Sequence, residues 1–128
     1  MRTITLIVLH CSATPMGSSL SFEECRRDHR QHRGFRDIGY HYYITRDGIV
    51  HQGRPESEVG AHCRNHNRHS IGVCYEGGLD KDGKPADTRT AKQMCSMDQL
   101  LKDLQLRYPK ALVVGHRMLN PTKSCPGF

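Results

Sequence analysis

Short apolar runs separated by helical patterns constrain the fold of this chain more than any other sequence feature. Residues 4–9, 70–75 and 112–114 each have the length and composition of a buried β-strand. An Asp-Gly turn also predicts a hairpin that pairs residues 40–45 with residues 49–52. Since 128 residues is within the usual size of one compact domain, we predict a single α/β domain with a mixed central β-sheet flanked by helices.

Two helices are predicted from their starts, stops and periodicity. Ser21 is followed three residues later by Glu24, and this capping box predicts a helix over residues 22–32. A second helix follows Thr90 and is stopped by Pro109. Its predicted buried stripe recurs at steps of three and four residues and consists of Met94, Met97, Leu101, Leu104 and Tyr108.

Composition argues against two classes of function. No apolar run approaches the length of about 20 residues that a membrane span requires, so we expect no span. The net charge of +6 favours a polyanionic partner, either nucleic acid, an anionic membrane surface or bacterial cell wall. Single-stranded nucleic acid is usually bound by aromatic residues among basic ones, and the chain has no Trp and only three Phe. We therefore expect no nucleic-acid partner.

The N-terminal residues and the cysteines indicate where the chain is made. In residues 3–9 threonines alternate with apolar residues, and the run ends on His10, which favours a strand over a signal peptide. The six cysteines are scattered rather than arranged as a disulfide framework. We expect a protein that is cytoplasmic at synthesis and leaves the cell by another route.

Two of the nine histidines stand directly after predicted strands. His10 follows the first run and Gly115-His116 follows the last, and strand ends are where α/β sheets place their sites. If these strands are parallel neighbours, the imidazoles converge, and Cys125 is a candidate third ligand. Two histidines and one cysteine leave a fourth position for water, which is typical of catalytic zinc. Taken singly, each of these residues also fits a structural role.

Residues 61–69 contain a second group of candidate metal ligands, which are His62, Cys63, His66 and His69. Histidines and cysteines at such close spacing are typical of metal-binding loops. None of these residues is anchored on a predicted strand. A solvated basic loop is therefore the favoured interpretation, and a metal site is the alternative.

Motifs along the whole chain resemble those of one family. In the family's order they are residues 7–14 (IVLHCSAT), 38–44 (IGYHYYI), 46–48 (RDG), 61–62 (AH), 70–73 (SIGV), 114–116 (VGH) and 121–128 (PTKSCPGF). They are similar to the amidase-2 group of zinc N-acetylmuramoyl-L-alanine amidases, which includes phage lysozyme-type endolysins, recycling amidases and peptidoglycan recognition proteins. The resemblance covers residues 1–128. It implies hydrolysis of the amide between N-acetylmuramic acid and L-alanine in bacterial peptidoglycan.

The resemblance also implies how the catalytic site is composed. It places the zinc ligands at His10, His116 and Cys125. In the lysozyme-type branch, a tyrosine and a lysine complete the site, and these correspond to Tyr40 and Lys123. Lys123 would then stabilise the oxyanion, and Tyr40 would orient the water or the amide nitrogen.

Further positions follow from the same resemblance. His62 and Asn67 lie where the family lines its substrate groove, so both are expected to contact substrate, with His62 alternatively supporting a metal ligand. Cys74 aligns with the catalytic glutamate of the recycling branch, which favours the lysozyme-type assignment. The remaining histidines are interpreted as surface residues or as residues behind the ligands, and they are His29, His32, His41 and His51.

Two other functions remain open at this point. A peptidoglycan-binding module without catalysis would be expected to lack the third ligand, whereas Cys125 is present. A basic metal-binding or nucleic-acid-binding protein would depend on the histidines of residues 62–69. We expect the protein to be a monomer.

Overall fold

A five-stranded mixed β-sheet forms the centre of the computed structural model, which describes residues 2–128. The strands are β1 (Leu6–Cys11), β2 (Thr14–Pro15), β3 (Tyr42–Ile44), β4 (Val50–Gln52), β5 (Ser70–Tyr75), β6 (Gly78–Leu79) and β7 (Leu112–Gly115). Their order across the large sheet is β4-β3-β5-β1-β7. Strand β4 is antiparallel to β3, and all other neighbours in this sheet are parallel. The predicted mixed sheet is confirmed.

Three helices accompany the sheet, and they are α1 (Phe22–Gln31), α2 (Ala91–Arg107) and α3 (His116–Leu119). Helix α1 begins with the predicted capping box, in which Ser21 and Glu24 each bond the other's backbone amide. Helix α2 begins with an equivalent box formed by Thr90 and Gln93. None of the helices in residues 2–128 is long and apolar enough to cross a membrane.

Helix α2 packs on one face of the sheet, but its buried stripe differs from the predicted one. Met94 is 40% exposed, and Gln93 is fully buried in its place. The buried positions of α2 are Gln93, Met97, Leu100 and Leu104. Gln93 is tolerated inside because its side-chain amide donates hydrogen bonds to the carbonyls of Ile44 and Glu76, at 3.1 and 3.0 Å. The assignment of Met94 to the core was therefore wrong.

Helix α1 contributes to a second, smaller core on the opposite face of the sheet. Cys25 of α1 packs there with Ile38, Tyr43 and Cys74, and Tyr40 covers them. Because successive side chains of a strand alternate between faces, His10 lies on this side while Leu9 faces the α2 core.

A pair of two-residue strands, β2 and β6, forms a separate parallel sheet that was not predicted from the sequence. Two residues separate β2 from β1, and two separate β6 from β5, so the small sheet extends the pairing of the two central strands. Residues 79–87 were predicted as a loop, and the segment is irregular apart from Leu79 and its bridge to Pro85.

Candidate active site

The three residues predicted as metal ligands come together at one end of the large sheet. His10 lies in β1, and His116 is the first residue after β7, which is the parallel neighbour of β1. Their ring centroids are 4.4 Å apart. The ligand atoms of His10, His116 and Cys125 all lie within 4.8 Å of one another.

The backbone of β1 positions the sulfur of Cys125. Strand β7 ends at Gly115, which pairs with Leu9, so the N–H of Cys11 lies beyond the last β7 partner. This N–H donates a hydrogen bond of 2.8 Å to Sγ of Cys125. The sulfur of Cys125 therefore accepts a hydrogen bond from β1 just beyond the point where β7 ends.

The segment that follows Cys125 is anchored to the α2 side of the molecule. The Tyr75 hydroxyl donates to the carbonyl of Pro126 at 2.6 Å. The ring of Phe128 lies 3.6 Å from the Arg89 guanidinium and packs against Tyr75. These contacts fix the irregular tail and thereby the position of Cys125.

The donor set fits a zinc ion. Two imidazole nitrogens and one thiolate are ligands that zinc prefers, and bonds of about 2.0–2.3 Å in a tetrahedral arrangement separate ligand atoms by roughly 3.3–3.8 Å. The candidate ligand atoms lie within 4.8 Å of one another, so they need to move only slightly closer together to bind one zinc ion. Three protein ligands leave a fourth position open, as in catalytic zinc sites. Across residues 2–128, this is the one place where three such groups converge.

The electrostatic environment keeps both histidines neutral, which is the form that binds a metal. Burial lowers the pKa of His10 well below its ordinary value, and the neighbouring His62 and His116 add to this shift. Burial also lowers the pKa of His116, with a further contribution from the positive charge of Lys123.

Tyr40 and Lys123, the predicted catalytic residues, both lie beside the candidate ligands. The Tyr40 ring stands between the rings of His10 and His29, with centroid distances of 5.2 and 5.4 Å. Burial raises the pKa of Tyr40 well above its ordinary value, so its hydroxyl keeps its proton at neutral pH. Lys123 is exposed in the tail between α3 and Cys125, close enough to affect the pKa of His116.

His62 and Asn67, the predicted substrate contacts, make hydrogen bonds inside the protein. Nδ1 of His62 lies 2.8 Å from Nε2 of His10, and Nε2 of His62 lies 3.1 Å from Oγ of Ser70. Oδ1 of Asn67 accepts hydrogen bonds from the amides of His62 and Cys63, both at 2.9 Å. Their contact with substrate stays a prediction.

The cluster at residues 61–69 does not converge on one point. His66 and His69 contact each other, with 3.3 Å between Nδ1 and Nε2, whereas His62 turns toward His10. The geometry favours the interpretation of a basic loop over that of a separate metal site. A cavity of about 440 Å³ opens beside this loop, lined by Val59, Gly60, Asn65, Asn67, Arg68 and His69.

His29 and His41 are not surface residues. They are 4% and 0% exposed, and Nδ1 of each accepts a backbone hydrogen bond, from Gly39 at 2.9 Å and from Gly72 at 3.0 Å. Each imidazole therefore satisfies a buried amide close to the site. His32 is exposed and His51 is half-buried, as expected for residues away from the ligands.

Two residues of the 70–73 motif belong to the site, although no role was predicted for them from the sequence. Ser70 and Gly72 lie in β5, where Ser70 contacts His62 and Gly72 leaves room for its ring. A Cβ at Gly72 would lie 2.6 Å from Cγ of His62. A glycine inside a predicted strand is the available signal, because it often marks a close approach of another group to the backbone.

Comparison with known proteins supports one family. The sequence matches the model of the N-acetylmuramoyl-L-alanine amidase family over residues 1–128. It is 42% identical over 122 residues to the endolysin of Escherichia phage T7, covering 95% of this chain and 80% of the relative. It is 40% identical over 120 residues to the endolysin of Enterobacteria phage K11, with 94% and 78% covered. The fold is similar to that of the N-acetylmuramoyl-L-alanine amidase LysC from Clostridium intestinale URNW, with a TM-score of 0.85, 29% identity, and 99% of this chain and 78% of that chain covered.

Proposed function

The chain belongs to the N-acetylmuramoyl-L-alanine amidase family, and we propose that it cleaves its substrate with a zinc ion held by His10, His116 and Cys125. The family's reaction is hydrolysis of the amide that joins N-acetylmuramic acid to L-alanine, so the chain is a peptidoglycan amidase. The observation that carries the zinc proposal is the convergence of two imidazoles and one thiol within 4.8 Å.

The protein side chains hold the reacting groups and control their charge. A bound zinc ion supplies a Lewis acid and lowers the pKa of its water from about 15.7 toward 7. Lys123 places a positive charge beside the ligands, where it stabilises the oxyanion that develops from the scissile carbonyl. Tyr40 keeps its phenolic proton and donates a hydrogen bond to the water or to the leaving amide nitrogen.

The substrate approaches from the exposed side of the loop at residues 61–69. Asn67 lines the cavity beside this loop, and its Nδ2 is available to a polar group of the glycan or stem peptide. His62 closes the inner end of the loop against His10. We propose that this cavity, which none of the three candidate metal ligands lines, binds part of the peptidoglycan strand.

The biological role we propose is that of a phage or prophage endolysin. The identities of 42% and 40% to two phage endolysins support this role. We also propose that it is synthesised in the cytoplasm, reaches the cell wall by another route and acts there as a monomer.

The activity assay measures free L-alanine amino groups released from purified peptidoglycan. Zinc-loaded protein is expected to release them, and release should fall to background after chelation and return when zinc is added back. Cys125→Ala should stay at background because it removes a ligand. Cys95→Ala is the matched control, since Cys95 is an exposed cysteine of α2, and it should keep wild-type activity.

Two outcomes of this assay would overturn the proposed function. Full activity in the chelated protein or in Cys125→Ala would contradict the zinc proposal. Zinc-loaded wild-type protein that sediments with the cell wall but releases no amino groups would instead be a binding module.

A further inference from the structure

The imidazole of His10 has a second nitrogen that faces into the protein. Nε2 of His10 lies 2.8 Å from Nδ1 of His62, and the two rings meet edge to face with an interplanar angle of 90°. His10 is 2% exposed, so water does not compete for this contact. With Nε2 engaged by His62, Nδ1 is the nitrogen of His10 that is left for a metal ion.

Proton counting gives this contact a direction. A neutral imidazole has one N–H donor and one acceptor nitrogen. If Nδ1 of His10 binds a metal through its lone pair, Nε2 bears the proton and donates a hydrogen bond to Nδ1 of His62. Nε2 of His62 must then bear its own proton, and it donates to Oγ of Ser70 at 3.1 Å. The opposite direction would leave a proton on Nδ1 of His10 and block metal binding.

The position of His62 is fixed by contacts that leave its ring little freedom. The ring lies on Gly72 of β5, where even a Cβ would be 2.6 Å from Cγ of His62. The amide of His62 donates to Oδ1 of Asn67, which holds the backbone of the loop. Ser70, at the far end of the chain of contacts, is fully buried. Both ends of the His62 ring therefore meet groups held by strands of the central sheet.

We propose that Ser70 and His62 form a hydrogen-bonded chain that sets the tautomer of His10 and holds its ring in the orientation required for metal binding. The inference rests on the proposed zinc site and adds two positioning residues to it. Hydrogen-bonded partners of metal-ligating histidines typically contribute roughly 10–100-fold to metal affinity. His62 therefore acts through His10, in addition to any contact that it makes with substrate.

The test measures zinc affinity by competition with a chromophoric chelator, without any substrate. His62→Ala is expected to weaken zinc binding by roughly 10–100-fold, because it removes the acceptor for His10. His62→Asn should recover most of this loss, since its Oδ1 is attached to Cγ as Nδ1 is in histidine and accepts the same hydrogen bond. Ser70→Ala should weaken binding by a smaller factor, since the first contact of the chain remains.

His69→Ala is the matched control, because it removes another imidazole from the same loop. Among the aromatic rings of residues 2–128, the ring of His69 contacts only that of His66. It should bind zinc as the wild type does. Wild-type affinity in His62→Ala would overturn the proposal, and so would equal losses in His62→Ala and His62→Asn. If His62→Ala does not fold, as judged by circular dichroism, Ser70→Ala decides, and wild-type zinc affinity in Ser70→Ala would then overturn the proposal.

Cys125→Ala in the same titration separates this inference from the zinc proposal itself. If Cys125→Ala binds zinc as tightly as the wild type, the metal site is elsewhere and both proposals fail. If Cys125→Ala loses zinc while His62→Ala keeps it, only the positioning role of His62 and Ser70 is wrong.

Discussion

His10 lies at the centre of the proposed site. Its ring lies near the rings of Tyr40, His62 and His116, with centroid distances of 5.2, 4.9 and 4.4 Å. At the residue scale, the site is therefore built around one buried imidazole of β1. The proposed tasks of these neighbours differ: His116 is the second ligand, Tyr40 acts on the reacting amide, and His62 holds the ring of His10.

The division of tasks predicts different phenotypes for ligands and for catalytic residues. Tyr40→Phe and Lys123→Ala should each lower kcat/KM on a soluble muropeptide by roughly 10²–10³-fold, because each removes a group that acts on the reacting amide. Both variants should bind one equivalent of zinc as the wild type does. The measurement is steady-state kinetics together with zinc content.

Lys110→Ala is the control for loss of a positive charge, since Lys110 is exposed and precedes β7 at the end opposite to His116. It should keep wild-type kinetics. Loss of zinc in Tyr40→Phe or Lys123→Ala, or unchanged kcat/KM in both variants, would show that these residues do not have the proposed roles.

At the element scale, α2 shows why a helix can be predicted while its buried face is not. Steps of three and four residues fit two neighbouring stripes, and hydrophobicity alone favours the one that contains Met94 over the one that contains Gln93. Gln93 is favoured inside because its side-chain amide donates to the buried carbonyls of Ile44 and Glu76, of which that of Ile44 also accepts from the amide of Glu76. Such a tertiary hydrogen bond has no counterpart in the local sequence.

Gln93→Leu tests this account of the α2 face. The substitution replaces the amide with an apolar side chain of similar size and leaves two buried carbonyls without this donor, so we expect a loss of about 1–3 kcal/mol in the free energy of unfolding. Met94→Gln at the exposed neighbour should change stability by less than about 0.5 kcal/mol. Urea unfolding followed by circular dichroism measures both values. A larger loss for Met94→Gln than for Gln93→Leu would contradict the assignment.

Over the whole molecule, cationic segments surround the site. Residues 59–75 and 104–128 contain no Asp or Glu, and they include the loop beside His10 and the tail that bears Cys125. Arg64, Arg68 and Lys123 are exposed there. These exposed cations would favour the approach of an anionic cell wall to this part of the molecule.

The sequence was sufficient for the sheet, the two long helices and the convergence of His10 with His116, because strand ends and capping boxes are local signals. Contacts between segments that are distant along the chain could not be predicted from the sequence. His62 is 52 residues from His10 along the chain, and the amide of Cys11 that meets Cys125 is a backbone group with no residue-type signal. The two-residue strands β2 and β6 are likewise too short to show a pattern.

X-ray absorption at the zinc K-edge of the zinc-loaded protein identifies the atoms bound to the metal ion. We expect one sulfur ligand at about 2.3 Å together with nitrogen or oxygen ligands at about 2.0–2.1 Å. The sulfur should disappear in Cys125→Asp, and it should persist in Cys63→Ala, a variant at the cysteine of the neighbouring loop. A zinc ion without sulfur in the wild type, or one whose sulfur persists in Cys125→Asp, would contradict the assignment of His10, His116 and Cys125 as the metal site.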